Sequence, residues 1–159
     1  MDILNCFLQI ISMVNVEVLP ARKDAVAAGR SRILVADDHE VVRKGLRSIL
    51  ALHDNLEICG EASNGEEAVL KAFQLNPDLI ILDVTMPLVD GFSAARQIRK
   101  ILPGVRILIL SMHNDPTIVE RSRLAEAQGF VTKTDVVSTL LLAVEALLQG
   151  QTFFAPDNG

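Results

Sequence analysis

The sequence predicts an α/β fold of the doubly wound kind, (βα)5: a five-stranded parallel sheet with helices on both faces. Three observations carry that prediction. From Arg32 onward, five short apolar runs rich in Ile, Val and Leu alternate with five longer stretches of 3.6-residue periodicity. The first run, Ile33-Leu34-Val35-Ala36, is apolar throughout rather than at every second residue, as in a strand covered on both sides. A strand-helix-strand succession must close by right-handed crossovers, and each crossover lays a helix on the sheet. Length and composition agree: 159 residues make about one domain, and 50% hydrophobic against 22% charged residues is too apolar for a disordered chain.

Ile33-Leu34-Val35-Ala36 is the first strand, and Val42, Leu46, Ile49 and Leu50 give one face of the helix after it. Leu56–Ala62 is the second strand. Ser63-Asn64-Gly65-Glu66 has capping-box spacing and opens a helix that turns Ala68, Val69, Ala72 and Phe73 inward. The third strand is Leu79–Val84, and its helix, Phe92–Leu102, stops at Pro103-Gly104. After the fourth strand, Val105–Leu110, Asn114-Asp115-Pro116 supplies a cap and an early proline for the fourth helix. Phe130–Thr132 centres the fifth strand. The last helix, Asp135–Leu148, presents Val137, Leu140, Leu141, Val144 and Leu148 on one side and stops at Gly150.

Residues 1–31 stand apart as an N-terminal extension and linker. They balance Asp2, Glu17 and Asp24 against Arg22, Lys23 and Arg30, so the net charge of −5 belongs to residues 32–159. Ile3, Phe7, Ile10 and Val14 recur at helical spacing, but Asp2, Asn15 and Glu17 exclude a secretory signal and a membrane span. Three readings stay open: a docking helix, a dimerisation helix, and translation from a start codon upstream of the natural one. The acid excess of the remainder leaves a nucleic-acid-binding surface without electrostatic support. Cys6 and Cys59, far apart, without CxxC and without a companion His at ligand spacing, exclude a disulfide framework and a sequence-evident zinc site, and fit a reducing cytoplasm.

In a doubly wound sheet the site lies beyond the carboxyl ends of the strands. There the sequence places Asp37 and Asp38 at the end of the first strand, Asp83 at the end of the third, Ser111 at the end of the fourth and Lys133 where the fifth runs out. Three neighbouring carboxylates repel, and they stay ionised together only if a cation compensates. An all-oxygen set suits Mg²⁺, which keeps several waters and shares its shell with phosphate. Lys133 offers a point charge, and Ser111 a hydroxyl, to the oxygens of a phosphoryl group. His39, His53 and His113 read as surface or loop residues. Taken singly, these residues have plainer readings: Asp37 or Asp38 as a helix cap, Asp90-Gly91 as a turn, Phe130 as a core aromatic.

As an ordered set, Asp37-Asp38, Asp83-Val84-Thr85-Met86-Pro87, Asp90-Gly91, Ser111, Gly129-Phe130 and Lys133 resemble the CheY-like receiver domain of bacterial two-component response regulators, over residues 32–156. Asp37-Asp38-His39-Glu40 and Leu110-Ser111-Met112-His113 are most similar to the NarL/FixJ-like subgroup, which usually carries a C-terminal LuxR-type helix-turn-helix. Residues 157–159 then form a tail where such an output domain begins, and the receiver either stands alone or has been cut from it. The resemblance implies the flavodoxin-like strand order 2-1-3-4-5. It implies that Asp83 accepts a phosphoryl group from a sensor histidine kinase, with Mg²⁺ held by Asp37, Asp38, Asp83 and the backbone carbonyl of Thr85. It further implies that Ser111 and Lys133 stabilise the phosphoryl group, that Ser111 moves toward it, and that Phe130 turns inward. The changed surface is helix four, strand five and helix five, and phosphorylation-dependent homodimerisation is expected from it.

The expected role is a cytoplasmic signalling switch that regulates transcription through an absent or separate output domain. It is not an enzyme beyond weak self-dephosphorylation, and this chain itself binds neither nucleic acid nor membrane. The alternatives are a stand-alone receiver acting by protein–protein interaction and a haloacid-dehalogenase-like phosphatase, which wants a second Asp where Thr85 stands. FMN binding on the same fold needs an anion-accepting loop where Asp37-Asp38-His39-Glu40 repel one. Two positions depart from the family pattern. Glu126 stands where Gly is common, and a left-handed backbone there costs a non-glycine about 1 kcal/mol. Thr134 follows Lys133 where Pro is frequent, which leaves the backbone at Lys133 open.

Overall fold

The computed structural model describes residues 29–154, so the readings of residues 1–28 and of the tail lie outside the described residues. β1 (Ser31–Ala36), β2 (Leu56–Ala62), β3 (Leu79–Asp83), β4 (Arg106–Ser111), β5 (Gly129–Thr132) and β6 (Phe153–Phe154) form one sheet in the order β2-β1-β3-β4-β5-β6. Every pairing is parallel. Between the strands run α1 (Glu40–Leu50), α2 (Gly65–Leu75), α3 (Gly91–Ile101), α4 (Pro116–Leu124) and α5 (Val136–Leu148).

The five-strand expectation is corrected by β6. Phe153 donates its N–H to the Gln128 carbonyl at 2.9 Å, and the pairs Gly129–Phe153 and Phe130–Phe154 extend the sheet. Two residues are too few to show a periodicity. What makes them a strand is the open edge of β5, whose backbone groups need partners.

Alternation along the strands splits the core in two. Ile33, Val35, Ile81, Leu108 and Leu110 face α1 and α5, where Leu46, Leu50, Leu140 and Val144 meet them. Leu34, Ile80, Leu82, Ile107, Ile109 and Phe130 face the other side, against Ala68, Val69, Phe92 and Ile98. Two local expectations shift. Asn64 rather than Ser63 caps α2, accepting the Glu67 N–H at 2.8 Å, and Glu67 rather than Glu66 returns to Ser63. The box slides by one because Gly65 is pressed against the Val89 backbone and starts the helix there. Val137 is 80% exposed; it sits in the first turn of α5 at the border of the stripe formed by Leu140, Ala143, Val144 and Leu147.

Candidate functional site

The carboxyl ends of β1, β3, β4 and β5 meet at one rim. Asp37 follows β1 directly, fully buried, with its N–H on the Ala62 carbonyl at 3.0 Å. Asp83 is the last residue of β3 and 3% exposed. Between them reaches Lys133, just past β5, with Nζ 2.7 Å from Asp37 Oδ2 and 3.2 Å from Asp83 Oδ1. The unproline-like Thr134 does not disturb this, and no cis peptide occurs among the described residues. Asp38 sits beside them, partly exposed. Neither Asp37 nor Asp38 caps α1; the N-cap is His39, whose side chain makes no cap bond.

The start of α3 presses on the phosphoacceptor candidate from behind. A Cβ on Gly91 would lie 2.1 Å from the Asp83 carbonyl oxygen, so only glycine lets the helix begin this close. Asp90 caps that helix by accepting the Ser93 N–H at 2.9 Å, so the Asp90-Gly91 turn builds the wall of the site.

Burial drives the Asp83 carboxyl up to about 6, and the Asp37 charge adds to the rise. The Lys133 ammonium and a hydrogen bond from the Thr85 backbone N–H oppose it only in part. For Lys133, burial disfavours the charge, but contact with Asp37 and Asp83 more than reverses this and raises it, so the ammonium persists. Asp37 Oδ2 is buried, and its partner is the Lys133 ammonium at 2.7 Å.

Ser111 ends β4, nearly buried, and its backbone carbonyl accepts the Lys133 N–H at 2.8 Å. Its hydroxyl oxygen accepts the His113 N–H at 3.1 Å. Phe130 does not stand at the rim. It pairs with Ile109 in the middle of the sheet and is buried in the core shared with Phe92 and Ala125.

Three participants escaped sequence reading. His39, read as a surface residue, is 67% exposed, yet its Nδ1 lies 3.0 Å from Asp38 Oδ1 and 3.3 Å from Asp37 Oδ1. Adjacency to the acid pair was the available signal. Arg43 donates from Nη1 to the Asp37 carbonyl at 2.8 Å and pairs through Nε with Glu61 at 3.3 Å. Glu61 has no signal in the sequence, because only the pairing of Val35 with Glu61 across β1 and β2 brings it there.

Residues 33–145 match the family model of the response regulator receiver domain. The response regulator protein VraR of Staphylococcus aureus is 36% identical over 126 residues, covering 79% of this chain and 60% of VraR. The chain thus spans about 60% of the length of the curated relatives it matches. A two-component response regulator of the LuxR family from an Aurantimonas species superposes with a TM-score of 0.77 at 34% identity, over 80% of this chain and 91% of that one. The signal receiver domain of the response regulator NarL from Mycobacterium tuberculosis gives 0.73 at 32% identity, over 77% and 98%. Among the described residues no helix is long and apolar enough to cross a membrane. This chain therefore belongs to the response regulator receiver domain family, CheY-like in fold, with LuxR-family response regulators as its relatives.

Proposed function

We propose that this receiver is a cytoplasmic phosphorylation switch in which Asp83 takes a phosphoryl group from the phosphohistidine of a sensor kinase. The observation that carries the reading is a buried strand-end carboxylate crowded by a second acid and touched by a lysine. In the transfer, a carboxylate oxygen of Asp83 forms the O–P bond while the P–N bond of the donor breaks and its electron pair stays on the imidazole. The product is an acyl phosphate.

The donor set fits a hard divalent cation: three carboxylates, two of them buried, face one ammonium. Mg²⁺ held there by Asp37, Asp38, Asp83 and the Thr85 carbonyl supplies positive charge for the acids and the phosphoryl oxygens. Lys133, held between Asp37 and Asp83, pairs with a phosphoryl oxygen once the Asp83 charge has moved outward. Ser111 accepts from His113 and so keeps its O–H free to donate to that group. Phe130, under α4, gives the changed rim a route to the α4-β5-α5 face, where Leu124 and Leu142 are exposed and a phosphorylation-dependent homodimer can form.

The chain acts on itself, and its only turnover is slow hydrolysis of its own acyl phosphate. Thr85 in place of a second acid speaks against the phosphatase alternative. Transcription is regulated through an absent or separate output domain rather than by DNA contacts of this domain. Incubation with acetyl phosphate and Mg²⁺ should add one phosphoryl group to the intact mass, and Asp83→Asn or a chelator should abolish the gain. Labelling that persists in Asp83→Asn overturns the assignment.

A further inference from the structure

We propose that the groove between α3 and the end of α4 binds a guanine nucleotide, with the phosphate on Arg96 and Lys100 and the base edge on Glu126. The groove has a volume of about 350 Å³ and is lined by Ser93, Arg96, Gln97, Lys100, Leu124 and Glu126, none of which belongs to the acidic rim. That volume is at the small end of the roughly 300–1,000 Å³ of ligand clefts, room for a mononucleotide and more than a free phosphate fills.

Arg96 and Lys100 are four residues apart, so α3 presents both on one side. Both are exposed, and among the described residues neither pairs with a carboxylate; Arg96 Nη2 donates to the Ser93 hydroxyl at 3.2 Å. Lysine in a last turn ordinarily answers the carbonyl end of its helix, but Arg96 lies a turn earlier and has no such role. A guanidinium fork beside an ammonium, both without a counter-charge, suits a phosphate. Across the groove stands Glu126, left-handed at φ +62°. Its carbonyl is held by Arg99 and Gln128, while among the described residues its carboxylate makes no hydrogen bond or ion pair and feels the Arg99 charge at longer range. A left-handed glutamate where glycine is easier points to a use for the side chain. That carboxylate selects the base. Guanine offers it two parallel donors, N1–H and N2–H, whereas adenine and cytosine set one donor beside an acceptor that a carboxylate repels. Leu124, 70% exposed at the end of α4, supplies apolar surface for the rest of the ring. Gln97 has a buried Oε1 without a hydrogen-bond partner among the described residues, so a ribose hydroxyl entering there makes a bond the fold leaves unmade.

The test titrates GMP, AMP and inorganic phosphate into the full chain by calorimetry, with chelator present to keep phosphate from a metal at the acidic rim. GMP should bind, and AMP and phosphate should bind about tenfold or more weakly, since a bidentate base contact discriminates by that order. Glu126→Gln should erase the preference for GMP over AMP, and Arg96→Ala with Lys100→Ala should weaken both nucleotides by about tenfold or more, with circular dichroism to confirm folding. In ¹⁵N-labelled protein GMP should shift the amides of residues 93–100 and 124–126. The comparison of ligands on the parent chain needs no variant: absent GMP binding, equal affinity for GMP and AMP, or phosphate binding as tightly as GMP overturns the proposal. So does a preference that survives Glu126→Gln, an affinity indifferent to the two cations, or shifts confined to the rim of Asp37, Asp83 and Lys133.

Discussion

Asp83 is buried at the end of β3, and its chemistry follows from that. Its folded value of about 6 lies above the ordinary 3.8, so the metal-free folded state holds the proton more tightly than the unfolded chain. The stabilisation from that proton is fully present below pH 3.8 and is lost as pH rises through about 6. In chelator, Asp83→Asn should therefore match the parent near pH 4 and exceed it at pH 7.5, by on the order of 3 kcal/mol. Urea denaturation followed by circular dichroism measures the difference, and a gap independent of pH would contradict it. Glu126 shows the converse case, a residue whose backbone is the cost. It adopts φ +62°, in the left-handed region that favours glycine, and Arg99 and Gln128 hold its carbonyl at 3.0 and 2.9 Å. Those bonds are to backbone, so Glu126→Gly should keep them and raise stability by about 0.5–1 kcal/mol. A loss in the same denaturation assay would show that the carboxylate side chain contributes.

Elements place these residues by contacts that tolerate little change. α3 begins against the carbonyl of Asp83, and Gly91→Ala would drive a Cβ into backbone that cannot yield. The expected cost is about 3 kcal/mol in denaturation, at the upper end of overpacking, with loss of phosphorylation even where the variant folds. α1 holds the opposite wall: Arg43, braced by Glu61, grips the Asp37 carbonyl and so fixes where the acid pair leaves β1. The helices α1 to α5 were legible because each buries one face with a 3.6-residue repeat, and the first five strands because they are short apolar runs between those repeats. The Asn64 cap and the exposed Val137 were not, since a cap is chosen by the helix's packing and a stripe's border by what lies opposite.

At the scale of the whole molecule, β6 closes the edge that five strands leave open. Phe154 packs against the core on the α4 side, under the Arg123 guanidinium at 3.9 Å. Phe154→Ala should cost about 1–2 kcal/mol and speed amide exchange along β5, and unchanged exchange there would mean the edge does not depend on β6. Sequence by itself determined the fold class, the order of the first five strands through a family resemblance, and the rim residues Asp37, Asp38, Asp83, Ser111 and Lys133, because strand ends are set by local pattern. Only the tertiary structure decided which of them touch, brought in His39, Arg43 and Glu61, buried Phe130 away from the rim, and added β6. The reason is physical: periodicity encodes which face of an element is buried, whereas contacts between side chains on different strands exist only after register and packing have been fixed.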